Sequence, residues 1–176
     1  MRKFSILSTL VLAWGAPALA SAEAIQAELT GYQEVPSVST PASGEFKAQI
    51  SPDDGMIAYE LSYSGLVGTV QQSHIHFAQP AVNGSIVIWL CQTTTTPAPA
   101  SVAGITPFCP QSGTVTGHIT AANVIDATNP PSQQIAAGEL DKVIAAIRAG
   151  VAYANVHATP RNPGGEIRGH IRASSK

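Results

Sequence analysis

The sequence predicts an all-β fold, an antiparallel β-sandwich of Greek-key-like type with one short helix in a long connection between strands. Three observations carry this. Apolar and polar residues alternate with a period of two in most of the chain. Clusters of Gly, Pro, Asn, Asp and Ser separate the alternating runs. Only one segment has the three- and four-residue spacing of an amphipathic helix. A parallel α/β sheet would need such a helix after nearly every strand, so eight short strands with turn chemistry between them point to a sandwich or barrel.

The first residues stand apart from this pattern. Arg2 and Lys3 precede an apolar run over residues 4–20, which ends in the small residues Ala18, Ala20, Ser21 and Ala22. A charged start, a short apolar stretch and an Ala-x-Ala site are the marks of a secretory signal peptide, here residues 1–22 with cleavage after Ala22. A membrane anchor needs about 20 apolar residues, and Pro17 with its small-residue neighbours speaks against one. The remaining residues 23–176 are expected to form one domain, extracytoplasmic (periplasmic or secreted), with no membrane span. The whole chain carries 9 basic and 11 acidic residues. Losing Arg2 and Lys3 leaves 7 against 11 and a charge of −4, with no basic stripe to counter a phosphate backbone, so nucleic acid is excluded as a partner.

The elements follow in order. Ile25, Ala27 and Leu29 alternate with Gln26, Glu28 and Thr30, and Phe46, Ala48 and Ile50 with Glu45, Lys47 and Gln49. Each is a strand with one wet face. Ser51-Pro52-Asp53-Asp54-Gly55 is turn chemistry, with Gly55 the residue expected to take positive φ, and Ile57, Tyr59, Leu61 and Tyr63 complete a hairpin. Further strands are expected at residues 70–77, 85–91, 114–121, 151–158 and 166–173. Leu140, Val143, Ile144 and Ile147 form the helix, stopped by Gly150, and Pro130-Pro131 place a loop before it. Asn162-Pro163-Gly164-Gly165 is expected to be a turn, with Arg161 near a site mouth. The segments at residues 113–121 and 165–173 resemble each other, and their alternation puts His118 and His170 on wet faces among Thr, Glu and Arg.

Cys91 and Cys109 are the only cysteines. In an oxidising compartment they are expected to pair, a crosslink typically worth about 2 to 4 kcal/mol. The enclosed segment, rich in Thr and Pro, would by composition alone be a mobile loop. A lone, distant pair lacks the clustering of thiolate metal sites.

His74 and His76 project from one face of a strand, because an i, i+2 spacing repeats the strand's period, with Ile75 and Phe77 on the core side. Ala154 and Val156 take the core side of their strand and leave His157 on the outer one. Three imidazoles on neighbouring outer faces are a plausible donor set for copper, or for zinc, with a coordination position left open. The competing reading is three polar residues satisfied by hydrogen bonds. Gly-x-Ser-x-Gly, phosphate-cradling and His-Glu-x-x-His motifs are absent. Asp53 and Asp54 belong to a turn.

Several segments in series carry a resemblance: Leu29-Thr30-Gly31-Tyr32-Gln33-Glu34-Val35-Pro36, Gly44-Glu45-Phe46, Leu61-Ser62-Tyr63-Ser64-Gly65-Leu66, Ser73-His74-Ile75-His76, Asn155-Val156-His157 and Asn162-Pro163-Gly164-Gly165-Glu166-Ile167-Arg168-Gly169. Together they resemble the CHRD domain, named after chordin, over nearly the whole of residues 23–176. The resemblance implies a β-sandwich and assigns no activity. More weakly, His74-Ile75-His76 and Val156-His157 are similar to the copper-binding segments of Cu/Zn superoxide dismutase. No histidine lies between Phe77 and Gly117, so a bridging ligand and zinc loop have no counterpart and a dismutase-like redox activity is disfavoured. A fourth copper histidine would have to be His118 or His170. A blue-copper site would need a free thiolate, which the expected disulfide removes. The reading is a protein that binds copper through His74, His76 and His157 for sequestration, delivery or redox work. The alternative is a metal-free extracellular interaction or matrix module that contacts an envelope protein, an extracellular protein or a polysaccharide through the Thr/Pro loop.

Overall fold

The alternation becomes strands at nearly the residues expected. The computed structural model describes residues 21–127 and 133–174; all but the last two residues of the signal peptide expected at residues 1–22, and the loop expected at Pro130-Pro131, lie outside the described residues. The chain runs β1 (Glu23–Thr30), β2 (Ser43–Ile50), β3 (Ile57–Ser64), β4 (Thr69–Phe77), β5 (Ser85–Cys91), β6 (Gly113–Ile119), α1 (Leu140–Arg148), β7 (Ala152–Thr159), β8 (Asn162–His170) and β9 (Arg172–Ala173). All the pairings between these strands are antiparallel, in the order β5-β4-β7-β8-β1-β2-β3-β6 with β9 beside β1.

The sheet folds over on itself. β6, β3, β2, β1 and β9 make one half, and β5, β4, β7 and β8 the other; a single registered pair, Thr30 with Arg168, joins them along one edge. At the opposite edge an isolated bridge pairs Ile88 with Val124. The result is a sandwich nearly closed into a barrel, which leaves little free strand edge. Phe46, Ile50, Ile57, Leu61, Ile75, Leu90 and Ile167 fill the space between the halves and are fully buried. Each such side chain contributes about 1.5 to 3 kcal/mol relative to exposure.

The helix forms where its periodicity placed it. Leu140, Val143, Ile144 and Ile147 are buried against the sandwich, and Gly150 ends the helix at φ +71, which a Cβ would strain. The last-turn Arg148 reaches back to Asp54 and Glu23, both at 2.7 Å, which ties the helix to the β2–β3 turn and to the first strand.

Four local expectations are corrected. In the β2–β3 turn the positive φ falls on Asp54 (+56), while Gly55 donates to the Asp53 carboxylate. Residues 162–165 belong to β8, and Pro160 and Arg161 make the turn; Gly165 absorbs the irregularity at φ +129. The strand expected at residues 166–173 is interrupted at Ile171, and the one at 114–121 stops at Ile119, where Thr120 and Asn123 cap a short helical turn.

The disulfide between Cys91 and Cys109 is formed, with the Cα atoms 5.0 Å apart. The segment it encloses is ordered from within. Buried Gln92 donates to the carbonyls of Ala103 and Thr106 at 2.8 and 2.7 Å and accepts from the amide of Ala98 at 2.9 Å. Ala98 and Val102 then pack on Trp89, forming a second small apolar cluster. Composition argued for mobility, but one buried amide side chain and the disulfide decide otherwise.

The largest correction concerns faces. β7 is buried on both sides as far as Ala158, and Glu166 and Arg168 of β8, expected on a wet face, are 0% and 1% exposed. The segments following β1 and β4 cover this second face: Arg168 donates to the carbonyl of Gln33 and, at 2.9 Å, to Asn83, while Asn83 donates to the carbonyl of Val35 at 3.0 Å. Glu166 accepts from Thr40 and from the amide of Val67.

Candidate metal centre

β4 and β7 are neighbours, so the face opposite the core carries a ladder of polar and aromatic side chains. His74 stands across from Asn155 and His76 across from Tyr153, with irregularities in the β4–β7 ladder between Val70 and Gln72 and in the β7–β8 ladder between Val156 and Ala158, beside His157. These strands bring His74, His76 and His157 together. One ring nitrogen from each lies within 4.8 Å of the others. The sequence placed all three on outer faces; the structure keeps the face and removes the solvent, with all three buried.

Two of the imidazoles are held from behind. His76 Nδ1 lies 2.9 Å from the carbonyl of Gly84, and His157 Nδ1 lies 2.8 Å from the carbonyl of Pro163. A carbonyl only accepts, so both rings carry their proton on Nδ1 and leave Nε2 bare. This is the arrangement that orients metal-binding histidines and fixes their tautomer. His74 Nδ1 lies 3.2 Å from His157 Nε2. Two nitrogens each about 2.0 to 2.1 Å from a shared ion would be separated by much the same distance.

The nitrogens are also poorly satisfied as they stand. His74 Nε2 and His76 Nε2 are buried without a hydrogen-bond partner. Each such group costs about 1 to 3 kcal/mol, which an ion bound to it would relieve. Burial pushes His76 down to about 4, and lowers His157 as well; His74 is held well below its ordinary value by burial, with the neighbouring His157 and His76 adding to the effect. All three are therefore neutral near pH 7, the form that binds metal.

Aromatic rings close the sides. The Trp89 ring meets His74 edge-on with centroids 4.4 Å apart, and Tyr153 stacks on His76 at 4.7 Å with planes 2° apart. The Arg168 guanidinium lies over the Tyr153 ring, 4.6 Å from its centre. Behind Arg168 sits Glu34, whose carboxylate is 3.8 Å away and whose pKa burial raises to about 7. Trp89, Tyr153, Asn155, Arg168 and Glu34 did not emerge from the sequence as site residues. Tyr153 and Asn155 share a strand and its alternate positions with His157, a signal that could have found them.

The other candidates fall outside the centre. His118 is exposed on β6. His170 is half-buried, with its ring 5.5 Å from Tyr153, and stays outside the three-histidine group. Arg161 is exposed in the turn; the contribution of this loop to His157 is the Pro163 carbonyl. In the loop over residues 92–111 the exposed apolar groups are Ile105 and Phe108.

A model of the CHRD domain matches residues 25–171. The chain belongs to the CHRD family. No curated protein and no solved structure matches it, so the local likeness to the dismutase segments gains no support. Within this CHRD domain, His74-Ile75-His76 and Asn155-Val156-His157, two of the segments that carried the resemblance, supply all three imidazoles. No helix among the described residues is long and apolar enough to cross a membrane.

Proposed function

We propose that this CHRD protein binds one copper ion through His74, His76 and His157 and serves copper sequestration or delivery outside the cytoplasm. One observation carries the reading: three buried, neutral imidazoles converge, and two present nitrogens with no partner in the protein. A buried polar group without a partner is costly, and two such nitrogens beside a third imidazole on one face form a donor set rather than a packing solution. Imidazole suits copper and zinc alike, and the general affinity order of nitrogen sites places copper above zinc. When bound, the ion supplies the charge and coordination bonds. The chain's own part is to hold three Nε2 or Nδ1 atoms in place through Gly84 and Pro163 and to keep water out with Trp89 and Tyr153.

The extracytoplasmic placement rests on the signal-like residues 1–22 and on the disulfide, since such bonds persist in oxidising compartments. In this reading residues 23–176 are the mature domain, and envelope-fraction protein begins at Glu23.

The test is copper per chain on untagged protein after loading and desalting. The intact protein should retain about one ion, and His157→Ala or His76→Ala should retain none while keeping the far-UV circular dichroism of the parent. Unchanged affinity in both variants would overturn the assignment.

A further inference from the structure

We infer that the three-histidine centre selects the monovalent, cuprous ion over divalent copper or zinc. This inference rests on the metal-binding reading above and deepens it.

The first argument is donor count. The group contains three imidazoles and no carboxylate or thiolate among the described residues. Divalent zinc and copper complete four or more ligands, tetrahedral for zinc and tetragonal for copper, and in a three-histidine site the remainder is water. Here the approaches that water would use are walled. His74 is 0% exposed, with the Trp89 edge against it, and Tyr153 lies flat on His76. Monovalent copper shares the filled d shell of zinc but has half its charge, and that lower charge lets three nitrogens alone satisfy it.

The second argument is charge. The cost of burying an ion in a medium of low polarity rises with the square of its charge, so a divalent ion faces about four times the penalty of a monovalent one. Ligand anions normally offset that penalty, and these ligands are neutral. The nearby fixed charge has the wrong sign for a divalent ion: Arg168 is 1% exposed and stacked on the far side of the ring that covers His76. The buried carboxylates on this face are turned to other partners, Glu34 toward Arg168 and Glu166 toward Thr40 and the Val67 amide. Repulsion from Arg168 is twice as large for the divalent ion at any separation.

Both arguments point the same way, and they favour holding copper over turning it through a redox cycle. A site that binds one oxidation state on the order of a hundredfold more tightly than the other shifts the potential of the bound couple by about 120 mV, at 59 mV per decade for one electron.

The experiment is three parallel competition titrations of the untagged protein: Cu(I) against a chromogenic cuprous chelator under anaerobic conditions, and Cu(II) and Zn(II) against divalent chelators, each repeated on His157→Ala. The expected result is one Cu(I) per chain, lost in the variant, with affinity on the order of a hundredfold or more above that for either divalent ion. Tighter, His157-dependent binding of Cu(II) or Zn(II) would overturn the cuprous preference and leave the metal site standing. Failure of all three ions to bind stoichiometrically would overturn both.

Discussion

Glu34 is the residue whose environment makes the sharpest demand. It is 5% exposed, one of its carboxylate oxygens has no partner, and its neighbour Arg168 is 3.8 Å away, too far for a close ion pair. Burial outweighs the attraction of Arg168 and raises its pKa from 4.5 to about 7. A carboxyl whose folded pKa is raised adds stability below its unfolded value and loses it as pH rises through the folded one. Glu34→Gln keeps the shape and removes the titration. We expect the variant to match the parent near pH 4.5 and to exceed it at pH 8 by about 1 to 3 kcal/mol, the upper end being the full shift of 2.5 at 1.36 kcal/mol each. Urea unfolding at the two pH values checks this, and equal differences at both would show that Glu34 does not titrate in this window.

Among the elements, β5 and the segment after it show how a covalent bond and one side chain share a task. Cys91 ends β5, Gln92 organises the loop and Trp89, two residues before the cysteine, faces His74. The disulfide restricts the unfolded chain, while the hydrogen bonds of Gln92 position the loop in the folded one. Replacing Cys91 and Cys109 together by Ser should lower stability by about 2 to 4 kcal/mol. Under the proposed function copper per chain should stay near one at temperatures below the new transition, because the three histidines come from β4 and β7. A loss of copper at full folding would make the loop part of the site.

At the scale of the whole molecule, two kinds of buried titratable group lean against each other. His76 has its folded pKa lowered from 6.5 to about 4, so its contribution is complete above 6.5 and fades as pH falls toward 4. That shift of 2.5 corresponds to about 3 kcal/mol, and His74 and His157 act with the same sign. Glu34 acts with the opposite sign across nearly the same window. Glu34 offsets a shift of about the size of that of His76 and leaves His74 and His157 unopposed, so the metal-free parent should lose stability as pH falls from 7 to 4.5, and Glu34→Gln should fall more steeply, both read from urea midpoints. Copper at a hundred times its dissociation constant should add about 2.7 kcal/mol at pH 7 and less as protons compete for the nitrogens. An equal slope in the parent and the Glu34 variant would sink this account.

The strands, the helix with its Gly150 stop and the faces of the three histidines were legible in the residues because each depends on local order, and the disulfide because the chain has only two cysteines to pair. Alternation, three-and-four spacing and i, i+2 geometry are properties of a few consecutive residues. The two-sided burial of β7 and β8 was not legible, because Glu166 and Arg168 look solvated until the segments after β1 and β4 are seen to fold over them. The same holds for the loop over residues 92–111, whose order comes from Gln92 reaching carbonyls 11 and 14 residues away. What the sequence by itself determined is which side of each strand the imidazoles leave from. Only the tertiary structure decided that this side is dry, since burial is set by distant segments, and it is dryness that keeps three ordinary histidines neutral, leaves nitrogens of two of them without a partner and makes the group one that could hold a metal ion.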